Sequence, residues 1–361
     1  MDITVIIPTY NQQARLSLVL SGLSCQSFDG TTEVLVVDDG CTDDTETVVQ
    51  QYHDSGALNV RLLRGVGRQG RNASRNQGLR EAQGQLTVFL DADALPGPDL
   101  LQCYYQTFAS HDGPALLAGM QYHLPELEYL SDPRTATVDS SLTLPSVVRD
   151  FIDSSRDRLA ITEAMVRDDF HSIQKRAQRG SYPNDGTVRR QDEARRLLQA
   201  RPRSAAAWIA FIPHNGAAAT SLLRTAGGFD CDIPFSEGWE LAYRCQRQHN
   251  AAIIAVEAAT YHLYHHHDFG DPAQARTRYD AIEYMATKHR DPRIRLIYFW
   301  YAHLWRDPFI PEAAVVNDLF QFERLYHDLP ESKWRQYEAV LQAHPNQFPL
   351  KEIEVRYGSC A

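Results

Sequence analysis

The order of apolar and polar residues in the first hundred positions predicts strands that alternate with helices. Continuous apolar runs are typical of strands buried on both faces, and apolar residues at helical spacing fall between these runs. We expect strands at residues 3–8, 34–37, 60–63 and 86–90, and helices at 14–25, from near Thr42, and at 72–83. This alternation indicates a parallel, doubly wound sheet.

The pattern changes after about residue 145. Residues 145–200 lack strand signals, and their basic residues alternate with acidic ones, which predicts exposed helices with a break near residues 180–186. The α/β pattern returns with an apolar run at 206–213, a helix at 237–248 and a strand at 252–256. After residue 267 the chain is rich in Tyr, Trp and Arg and is expected to be helical.

Composition and charge narrow the class of protein. The 361 residues are 43% apolar and 23% charged, which is typical of a globular protein with one large domain or two. A net charge of −10 argues against a general nucleic-acid binder. We expect no integral membrane segment and no signal peptide. The six cysteines are scattered without a C-x-x-C pair, which favours free thiols and a cytoplasmic location.

Two aspartates follow the predicted fourth strand, as Asp91-Ala92-Asp93. In an open α/β sheet, ligands bind at the carboxyl ends of the strands. Two carboxylates there repel each other unless a cation lies between them, and oxygen ligands suit Mg²⁺ or Mn²⁺, which in turn hold a diphosphate. A turn with acidic caps is the structural alternative.

A second acidic pair, Asp38-Asp39, follows the second strand. A carboxylate at this edge can accept a hydrogen bond from a nucleobase N–H or a ribose hydroxyl. The alternative is a turn in which Thr42 or Asp43 caps the next helix, and both interpretations can hold together.

Residues 65–70 form a G-x-G-x-x-G sequence between a predicted strand and a helix. This sequence favours a rival class, the dinucleotide-dependent oxidoreductases. However, that fingerprint belongs in the first βα turn, and here it follows the third strand. The first turn of this chain, residues 8–11, contains no glycine.

Four motifs, in this order and spacing, resemble the family 2 glycosyltransferases of the GT-A fold. They lie at residues 6–11, 36–45, 73–78 and 89–93. A later stretch, residues 215–265, is similar to the acceptor half of the family, with Gly-Gly-Phe-Asp at 227–230, an acidic motif, and Leu-Ala-Tyr-Arg at 241–244.

The resemblance implies an α/β fold of the GT-A type, Rossmann-like, with a mostly parallel sheet flanked by helices. A helical insertion and a helical C-terminal region would be added to it. We expect the GT-A domain at residues 1–270, its insertion at about 125–205, and the helical C-terminal region at 271–361.

The resemblance also implies which residues bind the nucleotide-sugar. The family's Pro-x-Tyr-Asn segment, its Asp-Asp pair, the Arg of its Ala-Arg-Asn segment and its Asp-x-Asp motif line the donor pocket. The corresponding residues are Pro8, Tyr10, Asn11, Asp38, Asp39, Arg75, Asp91, Ala92 and Asp93.

A divalent metal, Mn²⁺ or Mg²⁺, is the cofactor that the resemblance implies, because it would neutralise the diphosphate leaving group. Asp93 corresponds to the family's usual metal ligand, and Asp91 is the second acidic candidate. Some members of the family place a His after the last core strand as a third ligand. In the imidazole-rich segment 261–268, His262 is our first choice and His265 our second. A surface loop is the alternative.

The acidic motif departs from the family. The family has Glu-Asp, whose Asp is the catalytic base, whereas Gly238 occupies that position here. We favour Glu237 as the base, with Glu240 second, one helical turn on and on nearly the same face. The alternative is that both carboxylates only stabilise the N-terminus of the helix through its dipole.

Taken together, the sequence predicts a metal-dependent hexosyl- or N-acetylhexosaminyl-type glycosyltransferase. It would move a sugar from a nucleoside diphosphate, expected to be UDP, to a glycan, peptide or small-molecule acceptor, with inversion. The alternatives are an NAD(P)-dependent oxidoreductase and a non-catalytic nucleotide-sugar-binding protein. The aromatic run 297–305 is typical of a core or a subunit interface, so the C-terminal helices are a candidate interface for a homo-oligomer.

Overall fold

The computed structural model describes residues 1–180, 186–266, 272–305 and 310–344, with residues 272–276 described by their backbone alone. The chain forms two compact units. Unit 1 comprises the described residues of Met1–Tyr182, Pro213–Gly228 and Val256–His267, and unit 2 those of Pro183–Ile212, Phe229–Ala255 and Asp268–Ala361. The predicted division at residue 270 stays a prediction.

The strands of the described chain are β1 (Ile3–Thr9), β2 (Thr32–Asp38), β3 (Val60–Arg64), β4 (Leu86–Leu90), β5 (Ala94–Pro96), β6 (Ala115–His123), β7 (Leu130–Asp132), β8 (Thr137–Val138), β9 (Asn215–Ala219) and β10 (Ala252–His262). One sheet has the order β3-β2-β1-β4-β9-β6-β10-β5, and β7 pairs with β8 in a second, two-stranded sheet.

The helices of unit 1 are α1 (Gln13–Ser24), α2 (Thr45–Asp54), α3 (Arg71–Glu81), α4 (Leu100–Ser110), α5 (Ser146–Ser154), α6 (Arg156–Leu159), α7 (Glu163–Asp168), α8 (Phe170–Arg176) and α10 (Thr220–Thr225). The helices of unit 2 are α9 (Gly186–Ala200), α11 (Glu237–His249), α12 (Pro272–Lys288), α13 (Leu296–Trp305), α14 (Leu319–Asp328) and α15 (Glu331–Ala343). The helices predicted in residues 145–200 and after residue 267 are confirmed wherever the structure describes the chain.

The N-terminal half of the sheet is parallel, as predicted. β1 pairs in parallel with both β2 and β4, and β2 pairs in parallel with β3. All residues of β1 and β4 are buried, which is why their sequences are continuous apolar runs instead of alternating ones. Because parallel strands end at the same edge, the segments that follow β1, β2 and β4 lie along one edge of unit 1.

The sheet continues with antiparallel strands, and the strand predicted at 252–256 is the first part of one of them, β10. β9 pairs antiparallel with β4 on one side and with β6 on the other. The sequence of β9 is Asn-Gly-Ala-Ala-Ala, which lacks the β-branched and aromatic residues that mark a strand. The apolar run at 206–213, expected to belong to the α/β pattern, instead contains a short 3₁₀ helix, Ala207–Ala210.

A buried asparagine connects the antiparallel strands. The Oδ1 atom of Asn215 accepts a hydrogen bond of 2.7 Å from the Tyr104 hydroxyl. Its Nδ2 atom donates to the carbonyl groups of Met120 and Ala258, at 2.8 and 2.9 Å. Strand β6 passes close to this asparagine at Gly119, where an added Cβ atom would lie 2.5 Å from Asn215 Nδ2. One amide therefore satisfies polar groups of α4, β6 and β10.

Unit 2 has its own aromatic core. The Trp208 ring contacts the rings of Trp239, Tyr243 and Phe322, with centroid distances of 6.2, 5.5 and 6.5 Å. In α13, Trp300 is fully buried and its indole N–H donates to Glu193 Oε2 at 2.7 Å. Trp300 thus belongs to the core of unit 2, and a homo-oligomer interface in these helices stays a prediction.

The cysteine prediction is wrong at one position. Cys231 is disulfide-bonded. Cys25, Cys41, Cys103 and Cys245 are free thiols, as predicted, and Cys360 lies outside the described residues. Among the helices that the structure describes, none is both long and apolar enough to cross a membrane.

We expect Asn215→Ala to lower the free energy of unfolding by about 3 kcal/mol, because three buried polar groups would lose their partner. Urea unfolding followed by circular dichroism measures this change. Gln77→Ala is the control, since Gln77 makes an exposed side-chain hydrogen bond to the Arg64 carbonyl, and we expect it to change stability by less than about 0.5 kcal/mol. Equal effects of the two substitutions would contradict the role assigned to Asn215.

Candidate functional site

The Asp-x-Asp segment connects β4 to the short strand β5. The Ala94 N–H donates to the Asp91 carbonyl at 3.0 Å, which closes a tight turn directly after β4. β5 then pairs antiparallel with β10, so that Ala94 lies opposite His262. The Leu263 N–H donates to the Asp93 carbonyl at 2.8 Å. Backbone pairing therefore places the end of β10 beside Asp93.

This pairing brings one carboxylate and two imidazoles together. The Oδ2 atom of Asp93 lies 3.5 Å from His262 Nε2 and 3.1 Å from His265 Nε2. The three potential ligand atoms all lie within 4.8 Å of one another. The two histidines selected from the sequence thus both reach the carboxylate selected from the Asp-x-Asp motif. Of the segment that suggested them, residues 267 and 268 lie outside the described residues.

The electrostatics of Asp93 agree with this arrangement. Burial acts to raise the pKa of the carboxyl, but the His262 and His265 imidazoles outweigh it and hold the pKa well below its usual value. Asp93 is therefore an ionised, buried carboxylate beside two nitrogen donors. This is the kind of group that binds a cation.

Asp91 has a different partner. Its Oδ1 atom accepts a hydrogen bond of 2.7 Å from Nη2 of Arg75, a guanidinium that is 1% exposed, while the Asp91 side chain is 33% exposed. Ala92, between the two aspartates, is buried. The roles of Asp91 as a metal ligand and of Arg75 as a nucleotide contact stay predictions.

The second acidic pair lies at the end of β2, and its two members have different partners. Asp38 Oδ1 accepts from the N–H groups of Gly40 and Cys41, at 2.9 and 2.6 Å, so Asp38 shapes the turn. Asp39 Oδ1 accepts from the N–H of Gln69 at 2.7 Å, and its Oδ2 accepts from that of Gly70 at 3.0 Å. The glycine run thus binds a carboxylate of its own chain through its backbone amides.

The end of β1 and the segment after it carry the remaining predicted nucleotide-binding residues. Pro8 is buried in β1, whereas Tyr10 is exposed, with the Arg68 guanidinium 4.2 Å above its ring centroid. Asn11 has a positive φ of 51°, and its Oδ1 accepts from the Thr42 N–H at 2.7 Å. Unit 1 therefore offers an exposed aromatic–guanidinium pair in the segments that follow β1 and β3.

Arg15 is a residue of this site that the sequence analysis missed. It lies in α1, is 7% exposed, and donates four hydrogen bonds to backbone carbonyls. Two of these carbonyls belong to the segment between the histidines, Leu263 at 2.9 Å and Tyr264 at 3.2 Å. The other two belong to β7, Leu130 at 2.7 Å and Ser131 at 3.2 Å. Residues 14–23 of α1 are all buried. A lone arginine in so apolar a helix was the sequence signal that could have indicated a buried, hydrogen-bonded side chain.

The two candidate bases lie in unit 2, at the start of α11. Glu237 is the first residue of the helix and is 5% exposed; Ser236 before it has a positive φ of 56°. Glu240 is fully buried. Gly238, at the position of the family's Asp, is also buried. The helix prediction is confirmed, and which carboxylate acts as a base stays a prediction.

Glu240 is surrounded by basic side chains. Arg244 Nε donates to it at 2.8 Å, Lys288 Nζ at 2.9 Å, and His289 Nε2 lies 3.1 Å from the same carboxylate. Burial raises the pKa of Glu240, but the hydrogen bond with His289 and the charges of Arg244 and Lys288 outweigh it and lower the pKa far below its usual value. A carboxylate held in this way is a poor proton acceptor at neutral pH.

Comparison with known proteins gives a family match for the N-terminal part of the chain, which carries this sheet edge and the Asp-x-Asp segment. Residues 4–129 match the family model described as "Glycosyl transferase family 2", so this part of the chain is a family 2 glycosyltransferase domain. The match includes the glycine run at 65–70. It ends before Glu237 and His262.

Two curated relatives each match about a third of the chain. The chain is 39% identical over 114 residues to a validoxylamine A glucosyltransferase of Streptomyces hygroscopicus subsp. limoneus, which is 31% of this chain and 24% of that protein. It is 33% identical over 122 residues to the poly(ribitol-phosphate) β-N-acetylglucosaminyltransferase TarS of Staphylococcus aureus, which is 34% of this chain and 21% of that one. The chain therefore spans less than a quarter of either relative.

Solved structures support the fold over most of the chain. S. aureus TarS 1-349 in complex with UDP-GlcNAc superposes with a TM-score of 0.52 and 16% identity, and the match covers 97% of this chain and 82% of that one. The mannosyltransferase PcManGT from Pyrobaculum calidifontis, in complex with GDP-Man and Mn²⁺, gives a TM-score of 0.50 and 18% identity over 95% of this chain and 74% of that one. The predicted GT-A fold with a helical C-terminal region is confirmed.

We expect Arg15→Met to increase hydrogen exchange of the backbone amides in residues 262–266 by about tenfold or more, since the segment would lose its buried donors and open locally. Arg15→Lys should increase exchange by an intermediate amount, because lysine keeps the charge but lacks the planar guanidinium group. Exchange followed by mass spectrometry measures both.

Arg224→Met is the matched control, because Arg224 donates in the same way to the carbonyls of Leu79 and Ala82 elsewhere in unit 1. It should change exchange around residues 79–82 and leave residues 262–266 as they are. If Arg15→Met accelerates exchange uniformly across unit 1, Arg15 does not act locally on the histidine segment.

Proposed function

We propose that the protein is a metal-dependent glycosyltransferase that moves a sugar from a nucleoside diphosphate to an acceptor nucleophile with inversion. The observation that carries the proposal is the group of Asp93, His262 and His265 at the carboxyl edge of a family 2 domain. A charged leaving group departs in such a reaction, and a site that stabilises negative charge is what the chemistry requires.

The residues of this group fit a divalent cation. One ionised carboxylate oxygen and two imidazole nitrogens, within 4.8 Å of one another, form a mixed oxygen and nitrogen donor set. Imidazole ligands suit transition metals, whereas Mg²⁺ prefers oxygen, so this set favours Mn²⁺ over Mg²⁺. When bound, the metal would neutralise the diphosphate as the sugar leaves.

The donor's nucleoside would occupy the edge formed by the ends of β1 and β2. The exposed ring of Tyr10 gives a nucleobase a surface to stack on, and Arg68 lies at stacking distance from that ring. Asp39, already oriented by the amides of Gln69 and Gly70, would accept a base N–H or a ribose hydroxyl. We propose UDP as the nucleotide, as in the TarS complex; PcManGT was solved with GDP-Man.

Deprotonation of the acceptor would fall to Glu237. Glu240 is fully buried and hydrogen-bonded to Arg244, Lys288 and His289, so its lone pairs already have partners within the fold. Glu237 has the family's acidic position and lies at the first residue of α11. A second candidate function is binding of nucleotide-sugars without sugar transfer. It is favoured by Gly238, which occupies the position of the family's catalytic Asp. Turnover of UDP- and GDP-sugars, measured beside NAD(P) binding, separates these two functions and the oxidoreductase.

We expect Asp93→Ala to weaken Mn²⁺ binding by about tenfold or more and to abolish sugar transfer, because the cation would lose its only charged ligand in the group. Electron paramagnetic resonance of free Mn²⁺ measures binding directly, and donor hydrolysis measures turnover. Asp112→Ala, which removes an exposed carboxylate of unit 1, should change neither. Full Mn²⁺-dependent turnover in Asp93→Ala would refute the assignment.

We expect Glu237→Gln to lower turnover by at least about 10² while donor binding persists, since a positioned base contributes about 10²–10⁴ in rate. Glu240→Gln should instead lower the free energy of unfolding by about 3–5 kcal/mol, because buried cations would lose their counter-charge. Kinetics and urea unfolding of both variants distinguish the two roles. A stable Glu240→Gln protein with the larger loss of turnover would reverse them.

A further inference from the structure

Unit 2 contains an open pocket of about 380 Å³, which borders the carboxylate network of Glu240 through His289. It lies where the end of α12 leads into the 3₁₀ helix Pro292–Arg295. Its lining residues are Tyr243, Arg247, His289, Arg290, Asp291 and Arg293. The volume is larger than a single inorganic ion needs.

The lining of this pocket carries an excess of positive charge. Three guanidinium groups, those of Arg247, Arg290 and Arg293, face one carboxylate, Asp291, so two positive charges are in excess. The Nε2 atom of His289, which also lines the pocket, lies 3.1 Å from Glu240. This local cationic site contrasts with the net charge of −10 of the whole chain.

The single carboxylate is already saturated. Asp291 Oδ1 accepts from Arg293 Nε at 2.8 Å, and Oδ2 accepts from Arg293 Nη2 at 3.0 Å, from the Tyr243 hydroxyl at 2.9 Å and from the Tyr326 hydroxyl. Burial acts to raise the pKa of Asp291, but these hydrogen bonds lower it to about 2, so it stays ionised. Asp291 therefore organises the pocket and cannot neutralise all three arginines.

Two of the arginines are pre-oriented by aromatic rings. The Arg293 guanidinium lies 4.4 Å from the Tyr326 ring centroid, and that of Arg247 lies 5.4 Å from the Tyr243 centroid. The hydrogen bonds that Arg247 makes with described residues all involve Nη2, to the Tyr326 hydroxyl and Asp291. Nε and Nη1 of Arg247 are left as donors. A pre-oriented guanidinium loses little entropy when it binds an anion.

The third arginine has no counter-ion within the described chain. The Arg290 side chain is exposed and makes no hydrogen bond or ion pair with any described residue. Its backbone has a positive φ of 50°, uncommon for a residue with a side chain. It turns the chain directly after α12, so that Arg290 lines the same pocket as Arg247 and Arg293.

We propose that this pocket binds a phosphate group carried by a larger molecule, as a phosphate ester. Two excess positive charges match a phosphate dianion, and guanidinium forks match its oxygens bidentately. The space beyond one phosphate would hold the attached group. The proposal does not depend on the proposed transfer reaction, because its residues include neither the Asp93 group nor the proposed base Glu237.

Isothermal titration of the wild-type chain with glycerol 3-phosphate, inorganic phosphate and acetate tests the proposal. We expect saturable binding of glycerol 3-phosphate, weaker binding of inorganic phosphate and none of acetate, with affinity falling as salt rises. No saturable binding of either phosphate would overturn the proposal. Equal binding of glycerol 3-phosphate and inorganic phosphate would overturn the proposal that the ligand is a phosphate ester, and would indicate a simple anion site.

Variants at Arg290 locate the site. Arg290→Asn suits the left-handed backbone and removes the charge, and we expect it to weaken glycerol 3-phosphate binding by about tenfold or more. Arg290→Lys should retain part of the affinity, because it keeps the charge without the fork. Arg335→Ala, at an arginine of α15 whose side chain is 74% exposed, is the control and should bind like wild type. Unchanged binding in Arg290→Asn would overturn the assignment to this pocket.

Discussion

The antiparallel pairing of β5 with β10 is the constraint on which the candidate metal site depends. It places His262 opposite Ala94 and joins the Leu263 N–H to the Asp93 carbonyl. Asp93 and His265 are 172 positions apart in the chain, so closing this contact costs considerable chain entropy. β5 has only three residues, and Arg15 adds two hydrogen bonds to the segment between the two histidines. Backbone groups, not the imidazoles themselves, fix where the imidazoles lie.

Much of unit 1 could be predicted because its signals are local. A strand buried on both faces has to be apolar along its whole length, so β1, β2 and β4 were visible in the sequence, and the acidic residues at their ends followed from the geometry of a parallel sheet. β9 was not visible, because its Gly and Ala residues lack the β-branched and aromatic side chains that mark a strand. Cys231 was misjudged because a disulfide is a long-range property.

The roles within the site were harder to predict than its location. Glu237 and Glu240 lie one helical turn apart and look alike in the sequence. Only the fold shows that Glu240 meets Lys288 and His289, which are almost fifty positions later in the chain. Likewise, the glycine run looked like a cofactor fingerprint because its amides are suited to bind an anion. In the structure that anion is the carboxylate of Asp39.

The hydrogen bonds of Asp39 have a consequence for how selective a nucleotide pocket here would be. The carboxylate is oriented by the amides of Gln69 and Gly70 before any ligand arrives, and its remaining lone pairs can accept a base N–H. Because that N–H only exchanges a hydrogen bond with water for one with the carboxylate, the net gain in affinity is small. A base that presents a lone pair instead of an N–H at this point would meet an acceptor and be repelled. Asp39 would thus serve to reject the wrong bases more than to hold the right one.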